Sequence, residues 1–362
     1  MSIEDRIARF VPPWVRELTP YHIADASGLI KLDAMENPFP LPPILREQWN
    51  DAIARTELNR YPDPHSSALK AAWQASLDLG DDVRMILGNG SDELIHLLCL
   101  AVAGQPGATV LSPEPSFAVY RIASQSLGLE FVGVPLERSD FSLDLPAMLA
   151  AIERSQPALV FLASPNNPTA NRLDSGSLEA LCEAAPGLVV LDEAYYRFAG
   201  GTRVHEIAQH ENLVVMHTLS KIGLAGLRLG ALIGAPSWIA LLERLRMPYN
   251  INSLTQVGAQ FALEHLSDFE RQIVLIIEAR ADLHAALSDL PGIHVWPSAT
   301  NFILFRTPSG RACAVFDSLR EQGVLIKNVS NAHALLVDCL RVTVGTPREN
   351  AIFIVALARA LA

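Results

Sequence analysis

Cysteine and positive charge are both scarce in this chain. Only four cysteines occur among 362 residues, and none stands in a C-x-x-C pair, the spacing typical of structural zinc sites and redox motifs. The 28 Lys and Arg residues are outnumbered by 39 Asp and Glu residues, so the formal net charge is −11. We therefore expect reduced thiols in a cytoplasmic protein, and no non-specific binding to nucleic acid or anionic membranes.

A membrane span and a signal peptide are not expected either. The run 94–113 contains no Asp, Glu, Lys or Arg, but Gly104 and Pro106 interrupt it. These two residues predict an apolar helix, a turn and then a strand in place of one continuous span. The first residues include Glu4 and Asp5 and no apolar run, which argues against a secretory leader.

Signatures of several other enzyme classes are missing as well. The sequence has neither the G-x-x-x-x-G-K-[ST] run of P-loop proteins nor the G-x-S-x-G run of serine hydrolases. His205 and His210 are five residues apart, which places them on different faces of a helix, and no metal is expected. The run 88–93 (GNGSDE) has Glu93 where a dinucleotide-binding fingerprint needs its third glycine. Since no clear strand leads into this run, a nicotinamide cofactor is not expected.

From residue 83 onward, apolar β-rich runs alternate with helical stretches. Half of the residues are hydrophobic, enough for one large domain and a smaller one. Runs that are apolar throughout and separated by helices predict a largely parallel sheet with both faces covered. Before this region we expect a short strand at 29–32 and helices at 44–56 and 66–77. The expected strands of the sheet are 109–111, 130–134, 158–162, 188–191, 213–216 and 231–233.

The pattern changes near residue 249. A long amphipathic helix over 254–290, bending near Ser267, leads into shorter elements of both kinds. These are strands at 293–296, 302–306, 324–326 and 339–344, and helices at 313–322 and from 348 onward. We expect residues 40–250 to form a large domain, and residues 1–39 with 251–362 to form a small α/β domain with an N-terminal arm.

The most informative stretch of the chain surrounds Lys221. The lysine follows Thr218 and Ser220, glycines come after it, and Arg228 lies shortly downstream. The apolar run 213–216 predicts a strand, so Lys221 would lie at a strand end. This setting suits a Schiff-base nucleophile beside a phosphate clamp, although a solvated surface lysine fits the same pattern.

Two further runs place polar groups at the ends of expected elements. Gly90 and Ser91 precede an apolar helix, where backbone N–H groups and the helix dipole favour a phosphate. A plain helix cap by Ser91 or Asp92 is the alternative. The apolar strand 188–191 ends in Asp192, which a parallel sheet would deliver to its ligand-binding edge, unless the acid only caps a helix.

Taken in order, these runs resemble the fold type I pyridoxal-phosphate enzymes, and the class I and II aminotransferases in particular. The match spans most of the chain and is strongest to the histidinol-phosphate aminotransferases. It implies a large domain with a seven-stranded, mostly parallel sheet sandwiched by helices, plus a smaller α/β domain. The run 164–169 (SPNNPT), which alone indicates only an Asn-Pro turn, takes its meaning from this order. The other stretches that carry the match are LDAMENP at 32–38, NRYPD at 59–63, GNGSDE at 88–93, DEAY at 192–195, NFIL at 301–304 and LRVTVGT at 340–346.

The resemblance assigns roles in binding pyridoxal 5′-phosphate. Lys221 would bear the cofactor and shuttle the substrate proton, and Asp192 would pair with the ring nitrogen. Tyr195 and Asn167 would bond the phenolic oxygen. Phe117 would stack on the ring, or else belong to the core. The phosphate would be held by Gly90, Ser91, Asp92, Thr218, Ser220 and Arg228, and by Tyr61 of a neighbouring subunit, which implies a homodimer with shared sites.

For the substrates, the resemblance points first to Arg341, which in the family clamps the carboxylate of glutamate. The same pocket would take the phosphate of histidinol phosphate. Lys327 would be the second cation there, where the family often has arginine, unless Lys327 is an exposed strand-end charge. Tyr21 and Asn37 would close over the substrate together with Asn167, although Tyr21 equally suits a packing role.

The implied activity is transamination between L-histidinol phosphate and 2-oxoglutarate, a step of histidine biosynthesis. An aromatic or broad-range aminotransferase, a pyridoxal-phosphate-dependent phospho-amino-acid decarboxylase and a non-catalytic cofactor-binding protein are the alternatives. Two departures from the family pattern concern local geometry. Residue 170 is alanine where the family has glycine. The loop between Lys221 and Arg228 is one residue shorter than in many relatives, which puts the position of Arg228 in question.

Overall fold

The strands fall close to the apolar runs of the sequence. The computed structural model describes residues 1–19 and 24–362. Its strands are β1 (Ile30–Lys31), β2 (Arg84–Gly88), β3 (Thr109–Glu114), β4 (Glu130–Pro135), β5 (Leu159–Ala163), β6 (Leu188–Asp192), β7 (Leu213–Thr218), β8 (Gly230–Gly234), β9 (His294–Val295), β10 (Phe302–Arg306), β11 (Val324–Leu325), β12 (Lys327–Asn328) and β13 (Cys339–Thr343).

One large sheet has the strand order β2-β8-β7-β6-β5-β3-β4. Its strands run parallel from β4 through β7, whereas β8 is antiparallel to both of its neighbours. Along β6, Val189 and Leu191 pack into one hydrophobic cluster and Val190 into another, because successive side chains of a strand point to opposite faces. Both faces are therefore covered, and the expected α/β fold with a mostly parallel sheet is confirmed.

Helices connect the strands and cover this sheet. α5 carries only the first part of the uncharged run 94–113 and ends at Val102. No helix within the described residues is long and apolar enough to cross a membrane. The helices are α1 (Ile3–Phe10), α2 (Pro13–Arg16), α3 (Pro43–Ala54), α4 (Ser67–Ser76), α5 (Ser91–Val102), α6 (Val119–Ser126), α7 (Leu145–Ser155), α8 (Ser175–Ala184), α9 (Pro236–Glu243), α10 (Ser253–Glu264), α11 (Leu266–Ser288), α12 (Ala312–Glu321) and α13 (Pro347–Leu361).

A smaller antiparallel sheet forms in the C-terminal part, in the order β12-β13-β10-β9. Beside it, β1 pairs in parallel with β11, with Ile30 opposite Val324, so the N-terminal segment is built into this part of the molecule. In β13, Arg341 lies opposite Lys327 of β12. Because directly opposite residues of antiparallel strands project from the same face, this sheet presents two cations side by side.

The expectation that no strand leads into the run 88–93 was wrong. β2 ends at Gly88 and enters that run directly, and its residues Met85, Ile86 and Leu87 are buried. The strand lies at the edge of the sheet, and its apolar residues Met85, Ile86 and Leu87 stand between the exposed Arg84 and Gly88, so its apolar run is brief and easily missed.

Helical structure near the N-terminus and in the long C-terminal helix also differs from expectation. The sequence did not predict α1 or α2; α1 starts with a capping box between Ser2 and Asp5 and buries none of its residues, so local capping rather than packing sets its start. The predicted long helix is divided at His265 into α10 and α11, close to the bend expected near Ser267.

Gly230, the first residue of β8, sets how closely the large sheet approaches the start of α5. A Cβ atom at Gly230 would lie 2.8 Å from the carbonyl carbon of Gly90 and 2.8 Å from the nitrogen of Ser91. Because these are backbone atoms, we expect Gly230→Ala to lower the free energy of unfolding by roughly 1–3 kcal/mol, measured by thermal denaturation. Gly104→Ala is the matched control, since a Cβ there meets nothing within 4 Å; an equal loss in both variants contradicts this account.

Candidate active site

Four parallel strands, β3, β5, β6 and β7, deliver the loops that follow them to one edge of the large sheet. In open α/β sheets this carboxyl edge is where ligands bind. Most of the side chains that the sequence predicted for the site line a cavity of about 240 Å³ there. Those that the cavity brings together are Ser91, Asp92, Phe117, Asn167, Asp192, Tyr195, Thr218, Ser220, Lys221 and Arg228.

Lys221 lies in a single 3₁₀ turn (Ser220–Ile222) immediately after β7. Burial lowers the pKa of its amine to about 8, and the positive charge of Arg341 acts in the same direction. Its Nζ atom is 5.6 Å from the centre of the Tyr195 ring. A larger share of this amine is therefore neutral near pH 8 than in an ordinary lysine, which is what a nucleophilic amine requires.

Asp192 is the last residue of β6 and is only 5 % exposed. Burial raises the pKa of its carboxyl group to about 6. Two hydrogen bonds fix the group: the Tyr120 hydroxyl donates to Oδ2 at 2.6 Å, and the Ala194 N–H donates to Oδ1 at 3.0 Å. The carboxylate is thus held in one orientation, and its burial disfavours the bare anion, so a cationic ring nitrogen is a complementary ligand.

The start of α5 has no side-chain cap, and its N-cap residue is Gly90 with φ +80°. The alternative of a cap by Ser91 or Asp92 is therefore not observed. Asp92 instead pairs with Arg228, whose Nη2 lies 3.0 Å from Asp92 Oδ2, and a Cβ atom on Gly90 would come within 2.8 Å of the same guanidinium nitrogen. The short loop thus brings Arg228 to the helix N-terminus, where N–H groups and a cation together suit a phosphate.

Hydroxyl groups add to this anion-binding end of the cavity. Thr218 ends β7, and its Oγ1 donates to the Ser220 hydroxyl at 2.9 Å while accepting the Ser220 N–H at 3.1 Å. Both residues are buried and line the same cavity as Lys221. The amine therefore lies next to a group of donors at the end of a strand.

Arg341 joins the smaller sheet to the edge of the large one. It is 7 % exposed, one of its terminal nitrogens donates to Asn167 Oδ1, and the other donates to the Asp33 carbonyl at 2.8 Å. A second cavity shares Asn167 and Phe117 with the first and is lined by Arg341 and Lys327. Lys327 thus faces a cavity next to the amine and is not merely an exposed strand-end charge.

The predicted residues Tyr61 and Asn37 line neither of these two cavities. Tyr61 is 81 % exposed and stacks on Tyr249 with ring centres 4.5 Å apart. Asn37 lies beside the first cavity, and its amide donates to the Ile222 carbonyl at 2.9 Å. Tyr21 lies outside the described residues.

The loop after β5 keeps its turn without the family glycine. Ala170 has φ +64°, its N–H donates to the Asn166 carbonyl at 2.9 Å, and its carbonyl accepts the Ala299 N–H at 2.9 Å. A left-handed conformation disfavours an L-residue by roughly 1–2 kcal/mol, and these two bonds oppose that strain. Asn167 is therefore presented to the cavity despite the substitution.

Sequence reasoning missed Tyr120 and Glu36, which also line the first cavity. Tyr120 is 1 % exposed, stacks on Phe161 at 4.7 Å and meets Phe117 edge-on at 5.6 Å. The three-residue spacing of Phe117 and Tyr120 places both on one side of the loop-to-helix turn and was the available signal. Glu36 had no signal beyond its place in the LDAMENP stretch.

Comparison with known proteins identifies the family. Residues 27–357 match the model for aminotransferase class I and II. The chain belongs to the class I and II aminotransferases. A relative from Nitrosococcus oceani, named histidinol-phosphate aminotransferase 2, is 54 % identical to this aminotransferase, covering 98 % of each chain. A histidinol-phosphate aminotransferase from Chromobacterium violaceum is 49 % identical, again over 98 % of each.

Solved structures agree with the fold of this aminotransferase. The crystal structure of histidinol-phosphate aminotransferase from Sinorhizobium meliloti in complex with pyridoxal-5′-phosphate has a TM-score of 0.87 and 24 % sequence identity, covering 98 % of each chain. At that identity the likeness establishes the fold alone. The expected fold type I architecture, a seven-stranded sheet with a smaller α/β unit, is confirmed.

The donor set of this aminotransferase fits pyridoxal phosphate. Backbone N–H groups at the start of α5, the hydroxyls of Ser91 and Ser220 and the Arg228 guanidinium suit a phosphate. Asp192 suits a protonated ring nitrogen, and Lys221 suits an aldehyde. Among the described residues, no group of His, Cys, Asp and Glu side chains is arranged to hold a metal ion.

Loss of the Tyr120 hydroxyl should raise the pKa of Asp192 further, because burial already raises it and the hydrogen bond opposes that shift. For Tyr120→Phe of this aminotransferase we expect the acid limb of the pH profile of kcat/KM to move upward by about one pH unit. Tyr196→Phe, which changes a buried tyrosine outside the cavity, is the control. An unshifted limb in Tyr120→Phe, or equal shifts in the two variants, refutes the assigned contact.

Proposed function

We propose that the chain is a histidinol-phosphate aminotransferase, which transfers the amino group of L-histidinol phosphate to 2-oxoglutarate with pyridoxal phosphate as cofactor, a step of histidine biosynthesis. The observation that carries this proposal is the pairing of Arg341 with Lys327 in a cavity that adjoins Lys221. Two cations next to a reactive amine suit a substrate that bears both a phosphate and an amino group. The names of relatives that are 54 % and 49 % identical support the same substrate.

Pyridoxal phosphate, when bound, supplies an aldehyde that takes up the substrate amine and a ring that withdraws electrons from the substrate Cα. In this proposal Lys221 takes the proton from that carbon and delivers it to C4′ of the cofactor. Its lowered pKa leaves the amine neutral and able to act as a base. Asp192 holds the ring nitrogen protonated. Tyr195 and Asn167 flank Lys221 and Arg341 respectively and are placed to bond the phenolic oxygen.

The cation pair has to serve two substrates of different charge. Arg341 has a planar guanidinium, already oriented by Asn167 and the Asp33 carbonyl, and suits the carboxylate of glutamate in a two-pronged contact. A phosphate dianion carries one more negative charge than a carboxylate. Lys327 supplies the additional positive charge, as a point charge without fork geometry.

The assembly is also part of this proposal. Tyr61 is exposed and stacks on the half-exposed Tyr249 at the surface, a placement that suits contact with the cofactor phosphate of a second copy in a homodimer. We further propose a cytoplasmic enzyme, with residues 40–250 as the cofactor domain and residues 1–39 with 251–362 as the small domain.

The experiment that tests this function uses the cofactor as its own reporter. Purified protein is mixed with pyridoxal phosphate, and the absorbance of the lysine-linked cofactor is followed on adding L-histidinol phosphate. We expect conversion to the pyridoxamine form and reversal by 2-oxoglutarate. Lys221→Ala is expected to show no lysine-linked absorbance.

Other outcomes of this experiment separate the alternatives. Conversion by phenylalanine or tyrosine without conversion by histidinol phosphate indicates an aromatic aminotransferase. Release of carbon dioxide from a phospho-amino acid, without a need for 2-oxoglutarate, indicates a decarboxylase. A protein that forms no lysine-linked cofactor is not an aminotransferase at all.

The two cations can be separated by substitution. We expect Lys327→Met to raise the KM for histidinol phosphate by roughly 10-fold or more, the effect of losing a charged hydrogen bond, with little change in the KM for glutamate. Lys327→Arg, which keeps the charge, is the control and should remain close to wild type. Arg341→Ala should impair both half-reactions, since both substrates use that clamp. Equal effects of Lys327→Met on the two substrates would contradict a phosphate-specific role.

A further inference from the structure

The segment 33–37 links the two ends of the site. At one end the Asp33 carbonyl accepts a hydrogen bond of 2.8 Å from Arg341. At the other end the Asn37 amide donates to the carbonyl of Ile222 at 2.9 Å, the residue that follows Lys221. Between these anchors, Ala34, Met35 and Glu36 line the first cavity, and Glu36 is the charged residue among them. It therefore shares a cavity with Lys221, whereas Arg341 lines the second cavity.

An unusual backbone conformation directs this side chain. Met35 has φ +54°, in the left-handed region that a non-glycine residue rarely adopts. Its N–H donates to Thr343 Oγ1 at 2.9 Å, and its carbonyl accepts from Asn301 Nδ2 at 2.9 Å. These bonds to β13 and to the residue before β10 hold the strained conformation, which is the kind of strain that functional sites retain.

Glu36 gives its end of the cavity a negative charge. Lys31 Nζ lies 2.6 Å from Glu36 Oε2 and 3.3 Å from Asp33 Oδ1, so one ammonium is shared by two carboxylates and the cluster keeps a net charge of about −1. The negative charge of Glu36 also acts on the amine of Lys221. Burial and the charge of Arg341 lower the pKa of Lys221, whereas Glu36 raises it. The Glu36 side chain is 47 % exposed and lines the first cavity, so it remains available to a ligand.

The site is therefore cationic where Arg341 and Lys327 line the second cavity and acidic where Glu36 lines the first. Histidinol phosphate has the matching polarity, since a phosphate stands on one side of its amine-bearing carbon and a basic imidazole ring stands on the other. We propose that Glu36 is a specificity-determining residue that binds the imidazole ring of the substrate, as hydrogen-bond acceptor or as partner of the imidazolium. This inference rests on the proposed function. Glutamate has its second carboxylate at this end, so Glu36 disfavours it, and Lys31 limits that repulsion.

Two substitutions that break the same ion pair test the inference. Glu36→Gln removes the negative charge, and Lys31→Gln removes its counter-charge. For Glu36→Gln we expect the KM for histidinol phosphate to rise roughly 10-fold, the KM for glutamate to fall several-fold, and kcat to change little. For Lys31→Gln we expect both KM values to move in the opposite directions, because the acidic end becomes more negative.

A purely structural role of the pair predicts a different result. If the Lys31–Glu36 contact only holds the segment 33–37 in place, both variants raise both KM values alike, and that outcome overturns the inference. An unchanged KM for histidinol phosphate in Glu36→Gln overturns it too. These failures are distinct from failure of the proposed function, in which the wild-type protein itself does not convert histidinol phosphate.

Discussion

Burial of opposite charges at one edge of a parallel sheet is the constraint on which the rest of the site depends. β6 and β7 are buried along their whole length. β6 ends at Asp192, and Lys221 lies in the turn that follows β7. Burial then raises the pKa of Asp192 and lowers that of Lys221, so each group is driven toward its neutral form. A ligand with a cationic nitrogen and an electrophilic carbon is bound best by such a pair, so the burial that destabilises the two groups also selects the cofactor.

In the proposed function, substrate recognition comes from the other part of the chain, which contacts the cofactor edge through Arg341 and Asn37. Arg341 reaches Asn167 on one side and Asp33 on the other, while Asn37 reaches the turn that carries Lys221. The distance between the cation pair and the amine is therefore set by how the smaller sheet sits on the larger one. In this proposal a substrate is selected by its length as well as by its charge. Its anionic group must contact the cation pair while its amine is near Lys221.

Much of this arrangement can be predicted from the sequence. The apolar run before Asp192 predicts a buried strand, and parallel topology then fixes which edge the acid occupies. Other parts depend on geometry that no periodicity encodes. Arg228 reaches the start of α5 with its own backbone in the left-handed conformation, at φ +49°. Tyr120 bonds Asp192 from the first turn of α6, a different element of the chain. Glu36 is directed by strain at Met35, which is a property of tertiary contacts with Thr343 and Asn301.

The turn at Ala170 bears on how proteins of this kind are recognised. Its backbone adopts the left-handed conformation that glycine takes without strain. A hydrogen bond to the Asn166 carbonyl and another from the Ala299 N–H hold it there. Glycine is thus favoured at this position without being required by the turn. A search for the run Asn-Pro-Thr-Gly, with the family glycine at position 170, would pass over this chain, although the shape of the loop is intact. A sequence signature names the residue that adopts a backbone conformation with the least strain. Another residue can adopt the same conformation when neighbouring contacts offset the strain.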